Sequence, residues 1–401
     1  MVRPLLLIAM LLTIGAGPPN QPSGSATVPT TDERAMAAVI RDLCPKDVAL
    51  LGEATHGDGH SDAFKAALVE RLVTQCHFNA VFFEASHYEF LGFARKLRDR
   101  APADAAMVGD AMGGLWKFDR EVRPLIPFLF DAAKARRVVL GGLDGQMGAL
   151  EARYANDEMP VELTNYLEGD RRRECREILR RRTYWDYPNG SYSDDDRAQI
   201  LRCTADILRA MDKAAAADAA TADAQRSMVR NIEAFTRADA LDSAEFIVAR
   251  DKAMYDNFGW LVRRLPKGSK VIVWSATAHI AKNGAADPAY ARAGNFGSYV
   301  HRDYGARAFA LGFSAASGEY RYARKDNRPL ATPPSPSLER SAVTSADDAT
   351  TYLNPARLKA LGRLPGAAFS HTFEENDWAG SLDGVVVFGR EYPPHSTRPG
   401  Y

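Results

Sequence analysis

An α/β fold, with a mostly parallel sheet flanked by helices, is what this 401-residue chain predicts, and two patterns carry the reading. Short apolar runs rich in β-branched and aromatic residues recur at 48–51, 80–83, 138–143, 271–274, 308–313 and 385–388, and the segments between them mostly show helical periodicity. Strands that alternate with helices pair in parallel, because each helical crossover returns the chain to the same end of the sheet. Between about 161 and 265 the strand signal gives way to segments rich in Ala, Arg, Asp and Leu. That stretch predicts a helical insertion forming a lid or wall over a cleft.

The N-terminus pairs Arg3 with an apolar run at 5–14 and then a Gly/Pro/Ser-rich stretch to Ala26. Residues 1–26 read as a signal peptide, with Gly15 to Gly17 and Ser23 to Ala26 as competing cleavage sites. The apolar run is shorter than the roughly 20 residues that span a bilayer. Export to the periplasm or the extracellular space is expected, with no stable membrane span, and 27–401 form the mature α/β domain. Cys44, Cys76, Cys175 and Cys203 allow up to two disulfides in an oxidising compartment, with the pairing open. None has CxxC spacing, which disfavours a thiolate zinc site. The 51 basic and 51 acidic residues balance, so neither a nucleic-acid nor an anionic-membrane footprint is present. Basic runs at 171–173 and 180–182, interleaved with Glu174 and Glu177, read as solvated helix faces. The sequence calls for no cofactor and sets no oligomeric state.

Taken in order, the first apolar run ends in Gly52-Glu53-Ala54-Thr55-His56-Gly57, a strand delivering a carboxylate and an imidazole into a turn that its glycines permit. Ser61 or Asp62 is the expected N-cap of the first crossover helix, whose Phe64, Leu68, Leu72 and Val73 share one face. The second run ends at Glu84, the third at Asp144, and the fourth is followed by His279. Ligand sites in open α/β sheets lie beyond the carboxyl ends of strands, so these endings predict one site. A single such carboxylate often only caps the next helix, whereas four coincident endings carry more weight. Glu84 follows two phenylalanines and is costly if buried unpaired, which makes His56 or Lys65 its expected partner. The Ala/Asp-rich tract at 214–224 reads as a helix, or as a loop joining two helices, and 329–337 as an exposed loop. Trp116, Trp260 and Trp274 read as core or wall residues, and His301 and His371 have no context that recommends them. Gly-x-Ser-x-Gly, Walker and dinucleotide fingerprints are absent.

Gly52-Glu-Ala-Thr-His-Gly57, Phe82-Phe-Glu-Ala85, Leu140-Gly-Gly-Leu-Asp144 and Val271-Ile-Val-Trp-Ser-Ala-Thr-Ala-His279 resemble, in order, signature blocks of the erythromycin esterase family. Arg250-Asp251 with Met254 resembles a further block, and the likeness covers most of 45–320. The resemblance implies hydrolysis of a macrolide lactone by water, with His56 matching the general base and Glu53 and Glu84 the acidic residues that orient or polarise it. A histidine near pKa 6.5 can take a proton from water at neutral pH. His279 matches the second histidine of a Trp-x-His-x-x-His block, while Ala276 stands where the first is found. Lys65 falls where the family has an arginine and is expected, with Asp144 and Arg250, to serve substrate or transition-state stabilisation. His60 and His87 are the candidates to replace the missing imidazole. The expected function is an exported hydrolase of a small-molecule ester or lactone, acting through His-activated water. One alternative is a metal-dependent hydrolase with Glu53, His56, Glu84 and His279 as ligands. The other is a non-catalytic or polysaccharide-associated binding protein.

Overall fold

All six apolar runs become strands of one sheet. The computed structural model describes residues 31–398, apart from 148–151, 188–189, 215–217, 322–325 and 344–348, so the leader read at 1–26 lies outside the described residues. The first half comprises α1 (Thr31–Leu43), β1 (Val48–Glu53), α2 (Gly59–Gln75), β2 (Ala80–Ser86), α3 (His87–Arg98), α4 (Ala105–Met112), α5 (Leu125–Lys134) and β3 (Val139–Asp144). The region read as a helical insertion then supplies α6 (Met159–Thr164), α7 (Gly169–Tyr184), α8 (Asp194–Lys213), α9 (Ala219–Ala238) and α10 (Ser243–Val262). After β4 (Val271–Ala276) come α11 (Thr277–Ile280), α12 (Pro288–Ala293), α13 (Phe296–Tyr304), β5 (Ala308–Ala315), β6 (Glu319–Arg321) and β7 (Asn327–Pro329). The chain closes with α14 (Leu338–Ala342), β8 (Thr350–Leu353), α15 (Pro355–Leu361), β9 (Arg363–Gly366), β10 (Glu374–Asp377), α16 (Trp378–Ser381) and β11 (Gly384–Phe388).

The seven-stranded sheet has the order β3-β2-β4-β1-β5-β11-β8. Its neighbours pair in parallel, except that the edge strand β8 runs antiparallel to β11. Helices cover both faces, so alternate strand residues enter two different cores, as a pleat of period two requires. Ala49, Leu51, Val81, Phe83, Ile272 and Trp274 pack against α1, α2, α4 and α5. Val48, Leu50, Ala80, Phe82, Val271 and Val273 pack against α10 and α13. The insertion has its own core, in which Tyr88 and Leu91 of α3 meet Leu163, Leu179, Ile207 and Ile232.

Three local details differ from expectation. Helix α2 starts at Gly59, before the expected cap, because Asp58 turns its carboxylate back onto Thr55 and the amide and hydroxyl of Ser61 are taken by Glu391. Gly52 and Gly57 serve close approach rather than turning: a Cβ at Gly57 would lie 1.3 Å from the Arg321 carbonyl oxygen, and one at Gly52 would lie 2.6 Å from Thr277 Cα. Arg182 leaves the solvated face of α7, pairs with Asp239, and stacks on Trp185, Tyr192 and Phe235.

The cysteines pair as Cys44–Cys76, joining the ends of α1 and α2, and as Cys175–Cys203, joining α7 to α8. They close loops of 32 and 28 residues. Loops of that size correspond to roughly 3–4 kcal/mol each through lost unfolded-state entropy. Replacing Cys175 and Cys203 together by Ser is expected to lower the urea-unfolding free energy by about 3 kcal/mol while leaving the circular dichroism of the folded state unchanged.

Candidate active site

Strand register brings the sequence-predicted residues to one end of the sheet. Glu53 lies beside Ala276 and Gly52 beside Ser275 across β1 and β4, and Phe83 lies beside Trp274 across β2 and β4. Between Phe83 and Ser86 the pairing of β2 with β3 shifts register. Such an irregularity re-aims a side chain, and the side chain within it is Glu84.

One arm of the site is the chain Lys65–Glu53–His56. His56 Nδ1 lies 2.8 Å from Glu53 Oε1, and the other carboxylate oxygen pairs with Lys65 Nζ. Both Glu53 and Lys65 have no exposed surface, Lys65 Nζ sits 4.1 Å from the centre of the Trp274 ring, and burial pushes the lysine's pKa well below its ordinary value. Lys65 therefore stands behind Glu53, away from the position expected of a substrate contact. His56 remains 24% exposed, with Nε2 directed toward the cleft, 3.7 Å from Glu84 Oε1, and its ring meets Trp116 edge-on at 5.0 Å.

The second arm is centred on Glu84. Arg250 Nη2 donates to its Oε1 at 2.8 Å, while Ser275 Oγ and the Ala276 amide donate to Oε2 at 2.7 and 2.9 Å. His279 Nε2 stands 3.2 Å from Oε1. Arg250 is fixed in turn by Asp144, whose Oδ2 accepts from Nη2 at 2.6 Å and from Nε at 3.1 Å. His279 Nδ1 lies 2.6 Å from Asp251 Oδ1, to which the Tyr290 hydroxyl also donates at 3.2 Å.

His279 Nε2 also lies 3.1 Å from Arg250 Nη1, so this nitrogen stands between a carboxylate and a guanidinium. Burial alone would raise the Glu84 pKa, but His279, His56 and Arg250 outweigh it and hold the carboxyl well below its ordinary range. Burial would likewise depress His279, yet Asp251 and Glu84 carry it up to about 10. The raised pKa favours the imidazolium, with Nδ1–H directed to Asp251.

These groups border a cleft of about 390 Å³. Its walls include His56, Glu84, Asp144 and Arg250, with Met112 and Trp116 from the end of α4 and the segment after it. Arg250 is the contribution of α10, so the insertion reaches the cleft through its last helix. Among the described residues no three His, Cys, Asp or Glu side chains are arranged to hold one metal ion. The Arg250 guanidinium takes the space enclosed by Glu84, Asp144 and His279.

The structure therefore gathers Glu53, His56, Glu84, Asp144, Arg250 and His279 and sets Lys65 behind them. His60 does not fill the place of the missing imidazole, since it bonds to Asp32 and the Arg390 carbonyl. Nor does His87, which is held by the Gly142 carbonyl and Ser227. Sequence reasoning missed Asp251, Ser275 and Tyr290 as partners of the site. The first stands in the Arg250-Asp251 pair and the second in the strand block, whereas nothing in the sequence marked Tyr290.

Fold and site together define an α/β protein with a histidine–carboxylate cleft at the carboxyl ends of its parallel strands. The family model described as erythromycin esterase matches residues 73–374, and the chain belongs to the erythromycin esterase family. No curated protein matches it in sequence. Among solved structures, a protein from Bacillus cereus is similar at 16% identity, with a TM-score of 0.68 over 92% of this chain and 96% of that one. A succinoglycan biosynthesis protein is similar at 16% identity and TM-score 0.67, over 90% and 92% of the two chains. A mutant of the erythromycin esterase EreC in its open conformation is similar at 12% identity and TM-score 0.64, over 88% and 93%.

A histidine whose folded pKa is raised contributes stability that is complete below its unfolded value and is lost as pH rises through the folded one. For His279 that window runs from 6.5 to about 10. His279→Asn is expected to flatten the fall of unfolding free energy across this range relative to the native chain, as read by denaturant melts at successive pH values.

Proposed function

We propose that this protein hydrolyses a carboxylic ester or lactone of a small molecule, with water activated by His56. The observation that carries the reading is the 2.8 Å contact between His56 Nδ1 and buried Glu53, which leaves Nε2 facing the cleft. A carboxylate on Nδ1 fixes the tautomer in which Nε2 is the basic nitrogen, and it stabilises the imidazolium formed when water loses its proton. Lys65 bonds Glu53 from behind and so acts as a positioning residue. A water on Nε2 attacks the ester carbonyl to form the new carbon–oxygen bond. As the tetrahedral intermediate collapses, the alkoxide leaves with the proton held on His56. Arg250 faces the cleft and, with the His279 imidazolium behind it, supplies positive charge toward the developing oxyanion. Asp144 and Glu84 hold Arg250 in place. With Ala276 in place of an imidazole, His56 is the base of the site and His279 is a second histidine held by Asp251 and Glu84.

Export is part of the same reading. It is supported by the leader pattern at 1–26 and by two disulfides, which persist in oxidising compartments. Among the described residues no helix is long and apolar enough to cross a membrane.

Mass spectrometry of a macrolide and simple-ester panel tests the proposal by looking for addition of one water. His56→Ala is expected to cut turnover by about a hundredfold or more. Glu84→Gln is expected to lower kcat more than it raises KM, because the charge of Glu84 matters most once positive charge builds on His56. Full turnover by His56→Ala would refute the mechanism. Absence of water addition across the panel, together with glycan binding retained in His56→Ala, would favour a binding protein.

A further inference from the structure

The turn that carries His56 is held from below by residues far away in sequence. Asp58 accepts from the Thr55 amide at 2.8 Å through Oδ2 and from the Thr55 hydroxyl at 2.9 Å through Oδ1. The Gly57 amide donates back to Thr55 Oγ at 3.3 Å, so the residues on both sides of His56 belong to one bonded bracket. The remaining donor on that carboxylate is His371, whose Nε2 lies 2.7 Å from Asp58 Oδ1. The pair is buried, with side-chain exposures of 3% for His371 and 1% for Asp58. His371 is fixed by its own amide, which donates to the Ala367 carbonyl at 3.0 Å, and by the Tyr320 ring, 4.4 Å from the imidazole. Tyr320 lies on β6, whose Arg321 amide donates to the Gly57 carbonyl at 3.0 Å.

We propose that His371 is a positioning residue for His56, acting through Asp58 and Thr55. The proposal rests on the hydrolase reading above. It adds a second line of support to the site: Glu53 and Lys65 orient the ring from the strand, and His371 and Asp58 fix the backbone from which the ring projects. Asp58 is the helix-start carboxylate whose usual partner would be a backbone amide one turn into α2, yet it makes no such bond. Its oxygens are committed to Thr55 and His371 instead, so the start of α2 gives up a cap in favour of a rigid turn. Displacing a catalytic group by about 1 Å costs up to a hundredfold in rate, and this bracket holds that displacement down.

His371→Phe removes the donor and keeps the ring's bulk, while His371→Gln keeps an N–H that can reach Asp58. In the Phe variant kcat is expected to fall about ten- to hundredfold with KM little changed. Nitrogen NMR of labelled histidines is expected to show His56 moving from a single Nδ1-protonated form to a mixture of tautomers. The Gln variant is expected to recover most of both readouts, which a generally destabilised fold would not do. Thr55→Val, which removes the hydroxyl's bonds to Asp58 and to the Gly57 amide but leaves the Thr55 amide on Asp58, moves both in the same direction and serves if the Phe variant does not fold. A folded Phe variant with native kcat and an unchanged His56 ring signature overturns the proposal. If the native chain turns over no ester at all, the hydrolase reading fails, and the ring signature alone decides whether the bracket acts.

Discussion

Glu84 is an ionised carboxylate enclosed between two packed layers, and the site is arranged around keeping it charged. An uncompensated carboxylate in such surroundings is strongly destabilising, and removal of one partner from a buried pair typically costs about 3–5 kcal/mol. Its compensation comes from separate parts of the chain: the Arg250 guanidinium from α10, the Ser275 hydroxyl and Ala276 amide from the end of β4, and the His279 imidazolium from α11. Each can reach Glu84 only if β2 and β4 are in register and α10 is docked beside β3. One charge thus couples sheet register, the register shift after Phe83 and the seating of the insertion's last helix.

The same charge separates the two histidines into different roles. His279 lies between Glu84 and Asp251 and is held as a cation. His56 bonds Glu53 through Nδ1, and Lys65 holds the other oxygen of that carboxylate. The two imidazoles near Glu84 therefore differ in their partners. The difference follows from strand position: Glu53 ends β1 with α2 behind it to supply Lys65, whereas Asp251 sits in α10 with Tyr290 and the Phe296 amide as its other donors.

The sheet was legible because its strands are buried on both faces. Continuous apolar runs mark β1 to β5 and β11, and their polar endings mark Glu53, Glu84, Asp144 and the approach to His279. The strands that escaped notice are those without that signal: β8 is an antiparallel edge strand, and β6, β7, β9 and β10 are short pairs outside the main sheet. Pairwise chemistry was less legible than placement. Glu84 was expected to pair with His56 or Lys65; His56 Nε2 approaches it at 3.7 Å, but Lys65 turns to Glu53 and Arg250 takes the closer bond, because partners are chosen by which helix face docks against which strand end. His371 is the sharpest case. Its local sequence, Phe369-Ser-His371-Thr, carries neither periodicity nor a motif, and its meaning exists only in contact with a residue 313 positions earlier.

That distance has a consequence for how the site is built. The family model begins at residue 73, so the turn bearing His56 precedes the matched region, and its supports lie late in the chain. His371 holds Asp58, while Glu391, just beyond β11, accepts from the His60 amide at 2.6 Å and the Ser61 hydroxyl at 2.7 Å. Contacts of such sequence separation repay their loop-closure entropy only after the intervening elements have formed. The strand that carries Glu53 is set by its pairing with β4 and β5, whereas the start of α2 beyond the turn also depends on Glu391, which follows β11 where it docks beside β5. Of these supports, His371 falls inside the matched region and Glu391 beyond its end. Side chains that meet a substrate are fixed by chemistry, whereas those that hold a backbone turn from behind need only a donor at the right point, which many local sequences can supply.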